Sequence, residues 1–241
     1  KNELWRVIID GGNVAMVQSL VTAILAAAIS AGTPILYAAL GELLAERSGI
    51  LNLGVEGMML VGAVSGFLAT VKTWNPWLGL IVAMVAGGAL AFVHAFLAIT
   101  LRANQVVSGL ALAIFGTGLS SYLGKPLIGV PAPVTFGQVS LPGLGDIPFL
   151  GPIIFRQDAL VYITYPLVPL LWFFLYRTRS GLHLRSVGEN PACADVMGVN
   201  VFATRYVYVI IGGMLAGAGG AYLSLAYAPS WVENMTAGRG W

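Results

Sequence analysis

The sequence predicts an all-α membrane protein in which several helices cross the bilayer. Of its 241 residues, 58% are hydrophobic and only 9% are charged, whereas a soluble domain has about 25% charged residues. The apolar runs are long enough for spanning helices of about 20 residues, and they lack the short alternating pattern of barrel strands. These observations together predict a polytopic transmembrane helix bundle.

Six apolar runs are candidates for spanning helices. They cover about residues 14–40, 55–71, 77–101, 106–123, 159–176 and 206–227. No charged residue lies between Asp10 and Glu42, and His94 is the only ionisable residue between Thr73 and Leu101. We therefore expect residues 1–241 to form a single transmembrane domain without a soluble domain.

The connections predict which ends of the helices lie in the cytoplasm. The loop of residues 177–205 concentrates four arginines, Arg177, Arg179, Arg185 and Arg205. Because cytoplasmic loops carry an excess of Lys and Arg, we expect this loop in the cytoplasm and the N-terminus outside. Residues 125–156 contain six prolines, which remove backbone donors and clash inside helices. This run is therefore expected to be an ordered extracytoplasmic loop.

A first polar island, RSGILNLGVEGMMLVG at residues 47–62, interrupts apolar sequence on both sides. Asn52 and Glu56 would lie there at membrane depth, where polar groups are costly and usually face a cavity or a partner. The accompanying glycines, Gly49, Gly54 and Gly57, would allow a broken or re-entrant helix that lines a pathway. Equally, the run could be a cytoplasmic turn in which Glu56 caps the next helix. The residues alone leave both interpretations open.

A second polar island, RANQVVSG at residues 102–109, begins the fourth run. Asn104 and Gln105, with Ser108 nearby, offer hydrogen-bond donors and acceptors without charge, which suits a neutral polar solute. The alternative is that Asn104 and Gln105 cap the helix that starts at Val106.

A third island, VGENPACADVMGV at residues 187–199, predicts a helix of under two turns. Asn190 is a favourable N-cap, Pro191 a favourable first residue and Gly198 a suitable stop. So short a helix is unstable alone in water and needs a surface to rest against. Apolar and acidic residues could supply that contact with a partner, namely Glu189, Asp195, Val196 and Met197. The alternative is a helix that lies on lipid.

The sequence lacks the residues of an enzyme active site. It has no GxxxxGK[ST] phosphate loop, and its two histidines, His94 and His183, do not make a metal site. Cys193 has no basic residue at triad-like spacing. We therefore expect no catalytic site, no metal and no cofactor in this chain. The net charge of +2 is too small to suggest nucleic acid as a partner.

The motifs in order resemble a known family. ERSGILNLGVEGMMLVGA, RANQVVSGLAL and GLHLRSVGENPACADVMGVN, followed by GGMLAGAGGAYLSL, are similar to the membrane permease subunits of bacterial ABC importers. The branch is the one that handles simple sugars, branched-chain amino acids and nucleosides. Within it, the chain most resembles permeases paired with basic-membrane-protein-type lipoprotein receptors. The resemblance covers the chain from about residue 19 to its end.

The resemblance implies a type II ABC importer permease fold in a multi-pass protein of the bacterial inner membrane. It implies a second permease subunit, two ATPase subunits that bind the ATP, an extracytoplasmic solute-binding lipoprotein, and membrane lipid around them. The small polar solute would be a nucleoside or a simple sugar. The helix Pro191–Met197 would be the coupling helix seated in a groove of the ATPase. Family members continue past Trp241 with further spans, so the resemblance also implies a chain truncated at its C-terminus.

Two sets of site residues follow from this interpretation. The expected solute path consists of Asn52, Glu56, Asn104, Gln105 and Ser108. The expected ATPase-coupling residues are Glu189, Asn190, Pro191, Ala194, Asp195, Met197 and Gly198. An autonomous secondary transporter or channel is the alternative function. It is disfavoured because only Glu56 and His94 are ionisable at depth, and because such a transporter needs no ATPase-docking helix.

Overall fold

The computed structural model describes residues 2–140, 142–143, 145, 147 and 149–241, with the backbone alone described for residues 2–18. The described helices are α1 (Asn2–Arg47), α2 (Val55–Thr73), α3 (Pro76–Ala95), α4 (Gln105–Gly124), α5 (Leu150–Ile154), α6 (Ala159–Arg177), α7 (Arg179–Glu189), α8 (Pro191–Val196) and α9 (Val201–Tyr222). Wide π-type turns extend α3 through Phe96–Thr100 and α9 through Leu223–Tyr227. Two short strands, β1 (Gln138–Ser140) and β2 (Arg156–Asp158), pair antiparallel.

Six described helical stretches are long and apolar enough to cross a membrane. They are Ser19–Arg47, Val55–Thr73, Pro76–Thr100, Gln105–Leu127, Ala159–Arg177 and Val201–Tyr227. Each of the six predicted runs falls on one of these stretches. The predicted fold class, an all-α polytopic bundle, is confirmed. The predicted first span began at residue 14, and the side chains of residues 14–18 lie outside the described residues. The helix that contains this span continues to Arg47 instead of ending near residue 40.

The centre of the bundle consists of α2 and α9, which are the most buried of the six stretches. Small residues let the two backbones touch, since a Cβ added to Gly62 would lie 2.6 Å from Gly217 Cα. The four-residue spacing of small residues on these helices therefore serves packing within the chain, as small residues do in membrane bundles. Around this centre lie α1, α3 and α4.

The bundle has two ends, which we name by their residues. The Arg47 end holds Arg47, Thr100 and the helices α7 and α8. The Lys125 end holds Lys72, Lys125, Asp158 and Tyr227.

A buried polar cluster joins three helices at the Lys125 end. Asp158 Oδ1 accepts hydrogen bonds from the backbone N–H groups of Leu160 and Val161 and so caps α6. Its other oxygen accepts a 3.1 Å bond from the Tyr222 hydroxyl of α9. Tyr37 of α1 donates to the Leu160 carbonyl. Burial raises the pKa of Asp158 above its ordinary value, although the hydrogen bonds that its carboxylate accepts lower the pKa.

The described part of the proline-rich connection at the Lys125 end forms short elements and contains no spanning helix. It contains α5 and the β1–β2 pair. Its first residues pair with the segment after α9 through Ile128–Trp231 and Pro131–Ser230 bridges. Trp231 is 1% exposed and packs against Gly124, where any Cβ would overlap the indole. The segment after α9 is thus anchored before it turns back into the bundle.

Candidate solute path and docking loop

A short non-helical break, residues 48–54, separates α1 from α2. The expected break near residues 47–62 is therefore shorter in the structure, because α2 is already regular from Val55. Gly49 has φ +83°, a conformation that glycine adopts without steric cost. Gly57 lies inside α2 instead of bending it. A Cβ there would lie 2.6 Å from the Leu112 carbonyl oxygen, so this glycine permits close packing against α4.

Side chains from neighbouring helices satisfy the backbone groups of the break. The Leu51 N–H donates to Gln105 Oε1 over 2.8 Å, and the Leu51 carbonyl lies 3.1 Å from His94 Nε2. The Asn52 N–H donates to Glu42 Oε1 over 2.8 Å. A neutral His94 with its proton on Nε2 would donate to that carbonyl. Non-helical backbone at membrane depth requires such partners, so these polar residues hold the break in place.

Three of the expected path residues belong to this arrangement. Asn52 is 3% exposed and its Oδ1 accepts from the Gly54 N–H. Gln105 holds Leu51, as described above. Ser108 is 6% exposed, and its hydroxyl lies 3.1 Å from the Gln105 carbonyl and 3.3 Å from His94 Nδ1. The structure brings these residues together around residues 48–54.

Asn104 has a different local role. Its Oδ1 accepts from the N–H groups of Val106 and Val107, at 3.0 and 3.2 Å. It is thus the N-cap of α4, which agrees with the capping alternative. Gln105 is the first residue of α4, and its side chain bonds across to Leu51 instead of capping.

Glu56 binds a segment that lies 180 residues away in sequence. Its carboxylate accepts hydrogen bonds from the Thr236 hydroxyl at 2.5 Å, the Gly238 N–H at 2.9 Å and the Gly240 N–H at 2.6 Å. We call this set of contacts the Glu56 clasp. Gly54, not Glu56, is the N-cap of α2. Neither of the two interpretations of Glu56 from the sequence included this partner. The one sequence feature that could have indicated it is TAGRG, a run of small residues with a threonine that can donate hydrogen bonds to a carboxylate.

The docking loop at the Arg47 end consists of α7 and α8. Asn190 caps α8 by accepting from the Cys193 N–H over 3.1 Å, Pro191 is its first residue, and Gly198 follows it with φ +81°. The short capped helix therefore forms at the expected position. The sequence did not indicate α7, whose buried Leu184 and Val187 attach the loop to the bundle.

The exposure of the docking loop divides its residues into two faces. Ala194 is 3% exposed and faces its own chain, whereas Val196 is 88% and Met197 81% exposed. Glu189 and Asp195 are also exposed. A partner would therefore meet Val196 and Met197 first, and not the side chain of Ala194.

The docking loop also contacts the break between α1 and α2. Arg205, near the start of α9, donates from Nε to the Ser48 carbonyl over 3.1 Å. Gly188 of α7 packs against the Arg47 carbonyl and against Gly49. A movement of the loop would therefore act directly on residues 47–49.

Comparisons with known proteins identify the family of the chain. Residues 14–241 match the family model described as branched-chain amino acid transport system / permease component. The "Putative glucose ABC transporter permease" of Haloferax volcanii is 50% identical over 92% of this chain and 69% of its own. The guanosine ABC transporter permease of Bacillus subtilis is 37% identical over 92% of this chain and 73% of its own. The nucleoside ABC transporter permease of Lactococcus lactis is 34% identical over 86% and 69%. No solved structure matches the chain significantly.

Proposed function

The chain belongs to the family of branched-chain amino acid transport system permease components, and we propose from this premise how it works with its partners. It is a multi-pass membrane permease subunit of an ABC transporter. We propose that two separate ATPase subunits bind and hydrolyse the ATP, and that this chain needs no cofactor of its own. A second permease subunit and an extracytoplasmic solute-binding lipoprotein complete the importer, which we place in a bacterial inner membrane.

The observation that carries this proposal is the exposed apolar end of α8. Val196 and Met197 are more exposed than any other large apolar side chain among the described residues, and they end a helix of six residues that is held by its cap and by α7. Glu189 and Asp195 beside them can pair with cations of a partner. Aromatic residues and Met are enriched in protein interfaces, so an ATPase groove is a suitable site for Met197. An autonomous transporter or channel would have no use for this surface.

The experiment is co-purification of the permease with its ATPase after co-expression. We expect the double variant Val196→Asp and Met197→Asp to reduce recovery of the ATPase at least about tenfold, the effect of losing about 1.4 kcal/mol of binding. The matched control is the double variant Val139→Asp and Val232→Asp, which places the same two charges on exposed valines outside the docking loop. Equal recovery of the ATPase with the double variant and with the control would contradict the proposal.

We propose that the transported solute is small, neutral and polar, a nucleoside or a simple sugar. The named functions of the relatives support this choice, as do the amide side chains around the break. Asn52, Gln105 and Ser108 would shape the path by holding residues 48–54, while Asn104 and Glu56 would fix the elements on either side. Uptake by reconstituted transporter decides the question. We expect guanosine or glucose to be taken up, and uptake of a charged amino acid alone would contradict it.

A further inference from the structure

A cavity of about 330 Å³ lies between α1 and the segment of residues 232–241. Apolar residues of α1 form part of its wall. Its polar wall consists of Glu42 and Glu46 of α1 and Arg239 of the returning segment, and Trp241 lies beside them. Ligand cavities have volumes of about 300–1,000 Å³ and combine apolar walls with a few placed polar groups, so this one has the size and the composition of a site for a small molecule.

The Glu56 clasp fixes the wall that the returning segment contributes. The carboxylate of Glu56 holds Thr236, Gly238 and Gly240, and consecutive turns join these residues to Arg239 and Trp241. The Arg239 guanidinium is also held, since it donates to the Met235 carbonyl over 3.1 Å and lies 5.6 Å from the Tyr227 ring centre. Hydrogen bonds therefore fix the backbone of this segment, and its residues Arg239, Gly240 and Trp241 line the cavity opposite α1.

Glu42 has an acceptor that the described residues leave unused. Its Oε1 accepts from the Asn52 N–H, but its Oε2 is shielded from solvent and has no hydrogen-bond partner among the described residues. A buried polar atom without a partner is costly. A solute that enters the cavity could satisfy this oxygen with a hydroxyl or N–H group once the carboxylate turns toward it.

We propose that this cavity is a solute-binding station of the transport path, in which Glu42 accepts hydrogen bonds from a neutral solute and Trp241 packs on the flat or apolar face of that solute. The unbonded oxygen of Glu42 can accept a hydrogen bond whether or not the carboxyl group is ionised, so it suits a solute with hydroxyl donors, as a sugar or nucleoside has. Glu56 acts as a positioning residue that holds the opposite wall. This inference rests on the proposed permease function and adds the place where the solute binds.

The first test is uptake by the complete transporter in proteoliposomes, with guanosine and glucose measured in separate arms. Glu42→Gln keeps the acceptor for Asn52 and replaces Oε2 by an amide group. We expect Glu42→Gln to raise the half-saturating concentration of the transported solute about tenfold through the lost hydrogen bond, and Trp241→Ala to raise it about tenfold through the lost ring contact. The maximal rate should change less than about twofold in both variants. Trp241→Phe should recover most of the affinity.

Glu233→Gln is the matched control, because Glu233 is an exposed acid of the same segment outside the cavity. Unchanged half-saturation in Glu42→Gln and Trp241→Ala, with uptake by the wild type, would overturn the station and leave the permease function standing. A wild-type transporter that takes up neither guanosine nor glucose would instead contradict the proposed solute class, and the station with it.

A second test measures whether the solute protects a cysteine in the cavity wall from chemical labelling, so it does not rely on the uptake kinetics of variants of Glu42 or Trp241. In a Cys193→Ser background, Ala39→Cys places a thiol in the cavity wall, and Gly118→Cys places one on α4 where no atom lies within 4 Å. We expect the transported solute to slow maleimide labelling at position 39 by about threefold or more and to leave position 118 unaffected. Equal labelling at position 39 with and without solute would overturn the proposal.

Discussion

At the scale of single residues, the polar side chains of this permease mainly satisfy backbone groups that have left regular helices. Gln105, His94 and Glu42 each bond to the backbone of residues 51–52. In hydrocarbon, every such group needs a protein partner. Polar residues in a spanning segment can therefore shape a path without contacting the solute, and the two roles require different tests.

Asn104 offers a clear separation of these roles. Asn104→Ser keeps a side-chain oxygen for the cap of α4 but removes the amide, whereas Asn104→Ala removes both. If Asn104 acts only as the cap, we expect Asn104→Ala to lose about 1 kcal/mol of stability and Asn104→Ser to resemble the wild type in both thermal midpoint and uptake. Loss of uptake in Asn104→Ser at an unchanged thermal midpoint would instead assign the amide to the solute path.

Asp158 predicts a pH dependence of stability. Its pKa is raised in the folded protein by burial, relative to about 3.9 in an unfolded chain. The folded state therefore binds more protons than the unfolded state between these two values, and its stability falls as the pH rises from about 4 through the folded pKa. Tyr37, Tyr165 and Tyr222 lie close enough to interact with the Asp158 carboxylate, and tyrosines ordinarily titrate near pH 10.

The test of this pH dependence is Asp158→Asn, which retains an oxygen for the cap of α6. We expect thermal midpoints in detergent to fall less for this variant than for the wild type between pH 4.5 and pH 8. Each unit by which the pKa is raised corresponds to about 1.4 kcal/mol. Parallel midpoint curves for the two proteins would show that Asp158 titrates as in the unfolded chain.

At the scale of elements, glycines set the distance between the helices at the centre of the bundle. A Cβ on Gly62 would lie 2.6 Å from both Cα and O of Gly217, so Gly62→Ala forces α2 and α9 apart. We expect a loss of about 1–3 kcal/mol, the usual cost of overpacking. Gly118→Ala is the control, since its Cβ meets open space and alanine favours a helix by up to about 1 kcal/mol.

Thermal midpoints of the two alanine variants in detergent provide the comparison. Gly62→Ala should lie below the wild type, and Gly118→Ala should lie at or above it. Similar midpoints for both variants would show that α2 and α9 adjust to the added methyl group without loss.

Some of the helices and contacts of this bundle could be predicted from the sequence, and others could not. The apolar runs predicted the spanning helices, and the Asn190, Pro191 and Gly198 signals predicted α8, because both depend on local properties. The helix α7 was missed because its two buried large apolar residues, Leu184 and Val187, stand among polar neighbours and small glycines. The Glu56 clasp could not be predicted, since hydrogen bonds between residues 56 and 236–240 depend on tertiary packing that no local pattern encodes.

At the scale of the whole molecule, a continuous set of contacts joins the docking loop to the cavity. The loop packs on residues 47–49 through Gly188, and Arg205 bonds to Ser48. Four residues on, the Asn52 N–H bonds to Glu42, which lines the cavity. If an ATPase displaces α8, these contacts are the route by which we propose that the displacement reaches the proposed solute site.

Arg205 is the residue whose removal tests this coupling without altering either site. Arg205→Ala deletes the bond to Ser48 but leaves Val196, Met197 and Glu42 in place, so we expect the ATPase to co-purify normally and the half-saturating solute concentration to change little. Solute-stimulated ATP hydrolysis by the complete transporter should fall about three- to tenfold, within the range of couplings of 0.5–2 kcal/mol.

Arg177→Ala is the matched control for Arg205→Ala. Arg177 is another arginine of the Arg47 end, and its guanidinium lies 6.0 Å from the Trp172 ring centre within its own helix, away from the break. Its removal should leave the stimulation of hydrolysis intact. If Arg205→Ala and Arg177→Ala reduce stimulation equally, positive charge at this end of the bundle matters in general. If neither does, the docking loop acts on the path by a route that does not pass through Ser48.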